Sequence, residues 1–485
     1  NKSIMNKFSK YILCAIFFTV SCTDIEELQD DPNRATAVSP DLLLTNIQTL
    51  AFNTVSLNSA LASRYLAFTD GVNENQYYNW QQASFTNYDN IKQVHKMIEE
   101  SQNAESEVYA ILGKFFNSYF ITELTLVFGD VPYSQAIAVE EQVYAPVYDT
   151  QEEIFLKVLT DLKSASNELA ANDELILGDV IYNGDKLQWQ KLINSYYLRV
   201  LLMLSNKTDV ASLNVVGRFK EVVGNPSKYP LFSSNNDNGA LTFVNIQNNR
   251  YPLFNNNNLQ TAYYLEESFV DKLKNLEDPR LFVFAEKMPS ASALDETDFN
   301  AYGGLYGSAV FSDNATKAVA GNASRIAPRY YNDPVNESSL LIGYAELQFI
   351  LAEAVVKGWI SGDASAYYAE GIKASMEFYG ITNTDDYLAS LNVQLNVTNP
   401  IESIATQKHI ALFLNTGWQM FYDQRRTGYP EFNVDGGGTL NEARIPKRWL
   451  YPTSESTNNP ENLEKAINRQ FASGDNINSQ MWILK

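Results

Sequence analysis

Apolar residues recur at helical spacing near the start of the chain, directly after a serine and a proline. Ser39 suits an N-cap, and Pro40 suits the first helical position, where its missing N–H is not needed. The apolar residues that follow are mostly three or four positions apart, which predicts an amphipathic helix. These residues are Leu42, Leu43, Ile47, Leu50 and Leu57.

Further segments along the chain show the same pattern. Thr150 and Glu153 have the spacing of a capping box, in which each residue bonds the backbone of the other. Gly129 follows another apolar run, and glycine commonly ends a helix. Helices are therefore predicted over 108–128, from Thr150 onward, and over 187–205, 340–356 and 364–378.

The last two of these segments predict a helical hairpin. Gly358 and Gly380 follow them, and only a short turn lies between. The pair is about the size of a tetratricopeptide-type hairpin, but no clean repeat of about 34 residues runs through the chain. We therefore expect a mainly α fold of tetratricopeptide-like helix pairs, with a generic helical array as the alternative.

Two stretches lack helical periodicity and are rich in polar residues. Residues 73–90 read NENQYYNWQQASFTNYDN, and residues 217–333 are dominated by Asn, Ser, Pro and Gly. Long loops mounted on a rigid scaffold are where proteins commonly display binding groups. A loop-rich, irregular half supported by the helices is therefore expected.

The composition excludes several classes of protein. A net charge of −21 and a pI near 4.6 argue against nucleic-acid binding, which needs a basic face. Two histidines and two cysteines are too few for a zinc cluster or a disulfide framework. No metal site is expected, because these usual ligands are scarce. No cofactor is expected, because no phosphate-binding or dinucleotide-binding motif occurs.

The first residues resemble a bacterial lipoprotein signal. Lysines precede the apolar run Tyr11–Val20, which is too short to cross a bilayer, and Cys22 follows Ser21. Cys22 is expected to carry the lipid that alone attaches the protein to the membrane; an ordinary secretory signal is the alternative. The predicted organisation is a signal over 1–21, a lipidated tether over 22–38 and a single domain over 39–485.

Several strings, in order along the chain, resemble the SusD/RagB family and especially its SusD-like branch. The lipoprotein-like start adds to the resemblance. The strings are GDVPYSQA (129–136), DPRL (278–281), YAELQFILAEAVVKG (344–358), YYAEGIKASMEFYG (367–380), ALFLNTGWQMFYDQRRTGYPEF (411–432) and IPKRWLYPTSESTNNPENLEKAI (445–467).

The resemblance implies an outer-membrane lipoprotein at the cell surface that lies over a SusC-like TonB-dependent transporter. Such a protein captures a nutrient for import without being an enzyme, and oligosaccharides are the commonest ligands. Peptides and other polymers remain open. The charged residues in the last strings are expected to hold the scaffold together, since guanidinium groups pair well with carboxylates; they are Asp423, Arg425, Arg426, Arg448 and Glu455.

A sugar site needs exposed aromatic planes beside amides and charged groups. Three loop stretches offer such residues, with core packing as the alternative for each ring. Trp189, Trp359 and Trp418 lie in or beside helical patterns and are assigned to packing. The candidate ligand contacts are Tyr77, Tyr78, Asn79 and Trp80; Asn248, Arg250, Tyr251 and Phe254; and Tyr302 and Tyr306, with Tyr330 and Tyr331 as a further pair.

Two other functions stay open. A surface glycoside hydrolase needs only two suitably spaced carboxylates, and the chain has 57 acidic residues. His95 and His409 lie in helical stretches and are expected to be ordinary histidines rather than bases. A structural lid that binds peptide or another nutrient only in complex with the transporter is the second alternative.

Overall fold

Helices form most of the chain in this computed structural model, which describes residues 38–137 and 143–485. The long helices come first, and each buries one face against its neighbours. Up to residue 224 the elements are α1 (Pro40–Phe52), α2 (Leu57–Ala62), β1 (Leu66–Phe68), α3 (Glu74–Tyr77), α4 (Asn87–Asn103), α5 (Glu107–Phe128), α6 (Gln151–Ala171), α7 (Lys186–Met203) and α8 (Val215–Gly224).

The middle of the chain contains only short elements joined by loops, as the polar composition predicts. They are β2 (Gly239–Leu241), α9 (Asn257–Thr261), β3 (Tyr263–Leu265), α10 (Glu267–Asn275), α11 (Leu281–Phe284), α12 (Phe311–Val319), α13 (Arg329–Asn332) and β4 (Ser339–Ile342).

Helices return after residue 343. They are α14 (Tyr344–Val356), α15 (Ala364–Phe378), α16 (Asp385–Ala389), α17 (Pro400–Ala411), α18 (Gln419–Thr427), α19 (Thr453–Asn458) and α20 (Pro460–Gln470). Single 3-10 turns occur at Leu204–Lys207, Asn235–Asp237, Pro289–Ala291, Phe299–Ala301 and Trp482–Leu484.

Local signals set the ends of the long helices where the sequence predicts them. Gly129 ends α5 with a φ of 97°, a conformation that glycine adopts without a Cβ clash. The Thr150 amide donates to the Glu153 carboxylate (2.9 Å) and the Glu153 amide donates to the Thr150 hydroxyl (3.2 Å). The predicted capping box at the start of α6 is therefore confirmed.

Consecutive helices pack against each other in pairs. Helix α4 packs on α5, α5 on α6 and α6 on α7, while α14 packs on α15 and also contacts α17. Helix α1 lies against α4 and α5. This arrangement confirms the predicted mainly α fold of tetratricopeptide-like helix pairs beside a loop-rich half.

The scaffold and the loop-rich half each have an aromatic core. In the scaffold, Trp189 is fully buried, with the rings of Phe116 and Tyr182 at 5.8 and 5.4 Å, and its indole N–H donates to Asp179 (2.8 Å). In the loop-rich half, Phe413 stacks on Phe284 at 4.3 Å. Burial of such large rings supplies much of the stabilisation of both halves.

Two antiparallel strand pairs connect distant parts of the chain. Strand β1 pairs with β3, with Leu66 opposite Leu265, and β2 pairs with β4, with Gly239 opposite Ile342. The β2–β4 pair has a register irregularity after Gly239. These pairs attach the loop-rich segment to the helices on either side of it in sequence.

Some boundaries differ from the prediction. Helix α1 ends at Phe52, so Leu57 belongs to α2, and Leu42 is 63% exposed because the buried face of α1 carries Leu44 and Ile47. The segment predicted to be helical from residue 340 begins with strand β4, because its first residues pair with β2. Tertiary pairing therefore overrides local periodicity at residue 340.

The predicted signal over 1–21 and Cys22 lie outside the described residues, as does the tether over 22–38 except for its last residue. Pro40–Lys485 form one compact unit, while the proposed division into signal, tether and domain stays a prediction. Within the described ranges, no helix combines the length and the apolar character needed to span a membrane.

Candidate ligand-binding site

The first predicted stretch is mostly buried. Tyr77, Tyr78 and Trp80 are at most 2% exposed, so the expectation of exposed rings is wrong for all three. The Tyr78 hydroxyl donates to the Ala62 carbonyl (2.8 Å), and Tyr77 and Tyr78 belong to the short helix α3 and its left-handed cap. Asn79 is exposed and stays a predicted ligand contact.

The second predicted stretch divides in the same way. Tyr251 is buried, because its ring packs 5.5 Å from that of Phe243. Arg250 is exposed, and its guanidinium group lies 5.3 Å from the centre of the half-buried Phe254 ring. It donates a hydrogen bond to the side-chain amide oxygen of Asn245. Asn248 is exposed. Asn248, Arg250 and Phe254 therefore remain predictions, whereas the expected exposure of Tyr251 is wrong.

The third stretch contains one buried and one half-buried tyrosine. The Tyr302 hydroxyl donates to the Glu296 carbonyl (2.7 Å) from a buried position, contrary to the expectation. Tyr306 is half-buried, and its hydroxyl donates to Asp435 (2.6 Å), which raises the pKa of Tyr306 to about 12. The pair Tyr330 and Tyr331 is also buried.

The structure brings the first and third stretches together across a buried arginine. Arg64 donates to the Gln76 carbonyl (2.7 Å) and to the Asn433 carbonyl (2.9 Å). The Asn433 amide donates to Glu266 (2.6 Å), which also accepts from the Gly307 amide (2.8 Å). These bonds fix the loop residues on the scaffold, while Tyr251 packs among other rings.

A cluster of three indoles was not expected from the sequence. Trp80 stacks face to face on Trp449, with ring centres 3.7 Å apart, and Trp418 meets the two edge-on at 5.8 and 4.9 Å. Trp80 is buried in this cluster, whereas Trp418 and Trp449 are half-buried. The predicted packing role of Trp418 is confirmed, but part of its ring remains available at the surface.

A cavity of about 230 Å³ opens beside Trp418. The segment between α1 and α2, helices α5 and α7 and the loop before α18 all contribute to its wall. Most of its exposed lining is polar. The lining residues are Leu50, Asn53, Thr54, Val55, Ser56, Asn87, Tyr119, Phe120, Glu123, Arg199, Leu341, Thr416, Gly417, Trp418 and Gln419.

The charges in this cavity are held in place by buried partners. Arg199 donates from Nε to Glu346 (2.9 Å) and from Nη2 to the Leu341 carbonyl (2.7 Å). Burial raises the pKa of Glu123 to about 7, although nearby Arg199 and a long hydrogen bond from Tyr422 (3.5 Å) oppose this shift. The cavity thus presents a fixed cation and a carboxyl group that titrates near neutrality.

The sequence also matches a family model over residues 32–452, described as starch-binding and associating with the outer membrane. This match spans most of the chain. The chain belongs to the SusD-like family. No curated protein gives a significant match to it.

Crystal structures of similar proteins agree with this SusD-like assignment. An outer-membrane protein of Bacteroides vulgatus, suggested to act in nutrient binding, is 37% identical, with a TM-score of 0.86 over 92% of this chain and 100% of that one. A SusD homologue of Bacteroides fragilis is 41% identical, with a TM-score of 0.85 over 92% and 99%. A second SusD homologue of that species is 32% identical, with a TM-score of 0.85 over 92% and 100%.

The charged residues of the SusD-like strings hold the scaffold, as expected. Arg426 donates to Glu353 (2.8 Å) and Asp423 (3.0 Å) at a buried position. Arg425 donates to the Leu126 carbonyl (2.9 Å), and Arg448 donates to the Phe128 carbonyl (3.1 Å), so both close the C-terminal end of α5. Glu455 accepts from Tyr148 (2.6 Å).

The histidines occupy ordinary positions in this SusD-like chain. His409 is buried, stacks on Tyr65 at 4.2 Å and bonds the Ser63 carbonyl (2.8 Å), and burial lowers its pKa well below the usual range. His95 lies exposed on α4. Across residues 38–137 and 143–485, no cluster of three His, Cys, Asp or Glu side chains is arranged to hold a metal ion.

Proposed function

We propose that this protein captures an oligosaccharide at the cell surface and delivers it to a SusC-like TonB-dependent transporter, without catalysing its hydrolysis. Cys22 would carry the lipid anchor. The observation that carries this proposal is the polar cavity beside the half-buried indole of Trp418. An indole face beside hydroxyl, amide and charged groups matches the surface of a sugar ring, which has apolar faces and hydroxyl edges.

Family membership supports the same function at a coarser level. The family is described as starch-binding and outer-membrane-associated, and a relative at 37% identity is suggested to act in nutrient binding. Neither finding names the sugar or the transporter for this chain. The choice of an oligosaccharide over a peptide therefore rests on the cavity.

Isothermal titration calorimetry tests the proposal directly. The full chain, purified in a detergent without a sugar head group, is titrated with linear α-glucan, β-glucan, xylan and chitin oligosaccharides and with a peptide mixture. We expect binding of one oligosaccharide class with no release of shorter products. Trp418→Ala should weaken it by at least about fivefold, since an aromatic contact contributes about 1 kcal/mol beyond its buried area.

Tyr144→Ala is the matched control, because this ring is 78% exposed and does not line the cavity. An unchanged affinity in Trp418→Ala would remove the cavity from the proposal. Release of shorter sugars would instead support the glycoside hydrolase. Absence of any binding, together with copurification with a transporter from membranes, would support the structural lid.

A further inference from the structure

We propose that the cavity beside Trp418 is an end-binding subsite that takes one terminal sugar ring, with the hydroxyls of that ring bonded to Glu123 and Thr416. The inference rests on the proposed function, since it assigns a part of the oligosaccharide to a part of the site. It adds a selectivity: a chain end enters the cavity, whereas an internal segment of a chain does not.

The size of the cavity limits what can enter. Its volume of about 230 Å³ is below the range of roughly 300–1,000 Å³ that accommodates drug-sized ligands. It corresponds to roughly eight molecules of water at about 30 Å³ each. One six-membered ring with its hydroxyl groups fits this space, but two linked rings do not.

The burial of the lining residues indicates where the cavity opens. Phe120, Leu341 and Thr416 are buried, whereas Asn53 is exposed and Trp418 is half-buried. We infer that the cavity opens to solvent beside Asn53 and Trp418 and is closed at the buried residues, which form its floor. A polymer cannot pass through a recess with a closed floor. A ring that is bound there must therefore be the last of its chain or a branch of one unit.

Unused hydrogen-bonding groups line this recess. Thr416 is only 6% exposed, and its buried hydroxyl has no hydrogen-bond partner within the described residues. Such a buried, unpaired hydroxyl is unfavourable unless a ligand or water bonds to it. The Glu123 carboxyl group accepts only the long hydrogen bond from Tyr422 in the described part of the chain.

The charge balance favours an uncharged ring. Arg199 is neutralised by Glu346 in a buried ion pair, and the cavity also holds the carboxyl group of Glu123. Neither sign of charge dominates in the cavity. An anionic ligand would be repelled by the Glu123 carboxylate, and a cationic ligand would be repelled by the Arg199 guanidinium group. Hydroxyl groups can donate to Glu123 and accept from donors in the same wall, as the two edges of a neutral sugar require.

Binding of free monosaccharides tests this subsite. The full chain in detergent is titrated with glucose, galactose, mannose and N-acetylglucosamine while tryptophan fluorescence is followed. At least one should bind and compete with the oligosaccharide that the calorimetric panel identifies. Thr416→Val, which keeps the shape of the side chain, and Glu123→Gln should each weaken monosaccharide binding by roughly tenfold.

Glu337→Gln is the matched control, because Glu337 is also a buried carboxyl group but does not line the cavity, and it should bind monosaccharide normally. Oligosaccharide binding with no monosaccharide competition and no effect of Thr416→Val would overturn the subsite and leave the proposed function intact. Monosaccharide binding without any oligosaccharide binding would overturn the proposed function and leave a sugar-binding cavity beside Trp418.

Discussion

Trp80 offers the sharpest test of how the structure assigns its aromatic residues. The sequence places Trp80 in a polar loop and predicts a ligand contact, whereas the structure buries it. Its ring stacks on Trp449 at 3.7 Å and lies 4.9 Å from the ring of Phe421. Trp80→Ala would therefore remove the ring on which the partly exposed indoles of Trp418 and Trp449 pack.

The expected cost is large. Truncation of a fully buried tryptophan to alanine destabilises a protein by about 3–5 kcal/mol, because apolar area is lost and a cavity remains. Trp80 is only 2% exposed, so this range of destabilisation applies to Trp80→Ala. Trp80→Phe retains an aromatic ring in the stack, so it should lose only about 1–2 kcal/mol.

Urea unfolding followed by far-UV circular dichroism measures both variants, and calorimetry with the identified oligosaccharide measures binding. We expect Trp80→Phe to bind with an affinity close to that of the wild-type protein. The packing assignment would be refuted if Trp80→Ala changed the free energy of unfolding by less than about 1 kcal/mol while it abolished binding. Trp80 would then be a ligand contact after all.

Two further predictions concern buried charges in the scaffold and the loop-rich half. Arg280→Met leaves the Asp278 carboxylate buried without its bidentate partner (2.9 and 2.6 Å), so the free energy of unfolding should fall by about 3–5 kcal/mol in urea titrations; a loss below about 1 kcal/mol would contradict this. Burial raises the pKa of Glu337 from the ordinary glutamate value of 4.5 to about 7, despite nearby Arg329. The folded state therefore keeps the Glu337 proton to a higher pH than the unfolded state does. The stability of the wild-type protein relative to Glu337→Gln should fall by about 3 kcal/mol between pH 4.5 and pH 7.5. Parallel urea titrations of both proteins at several pH values measure this difference. A constant difference across this range would refute the assigned burial of the carboxyl group.

Much of the helical scaffold could be predicted because its signals are local. The capping box at Thr150 and the stop at Gly129 involve residues within one helical turn of each other. The prediction was wrong where a distant partner intervened. Leu340 lies in a strand because Ala240 of β2 pairs with it, and nothing near Leu340 in the sequence indicates that pairing.

The candidate site was harder to predict. A polar loop was expected to display its aromatic rings, but Trp80 and Tyr251 contribute to aromatic packing instead. Asn79 and Arg250 were correctly expected to be exposed. The residues of the cavity were missed, since Glu123 lies in an apolar helix and Thr416 lies in a family string whose charged residues are assigned to the scaffold, and nothing next to either residue marks it as a ligand contact.

The helix pairs, the loop-rich middle segment and membership of the SusD-like family follow from the amino-acid sequence alone, because helical periodicity, caps and short family strings are all contained in contiguous residues. Which indoles remain partly exposed, and where a ligand could enter, depends on the tertiary structure. Asn53, Glu123, Arg199 and Thr416 line one cavity although long stretches of chain separate them. Burial depends on such distant neighbours, and no local pattern records them.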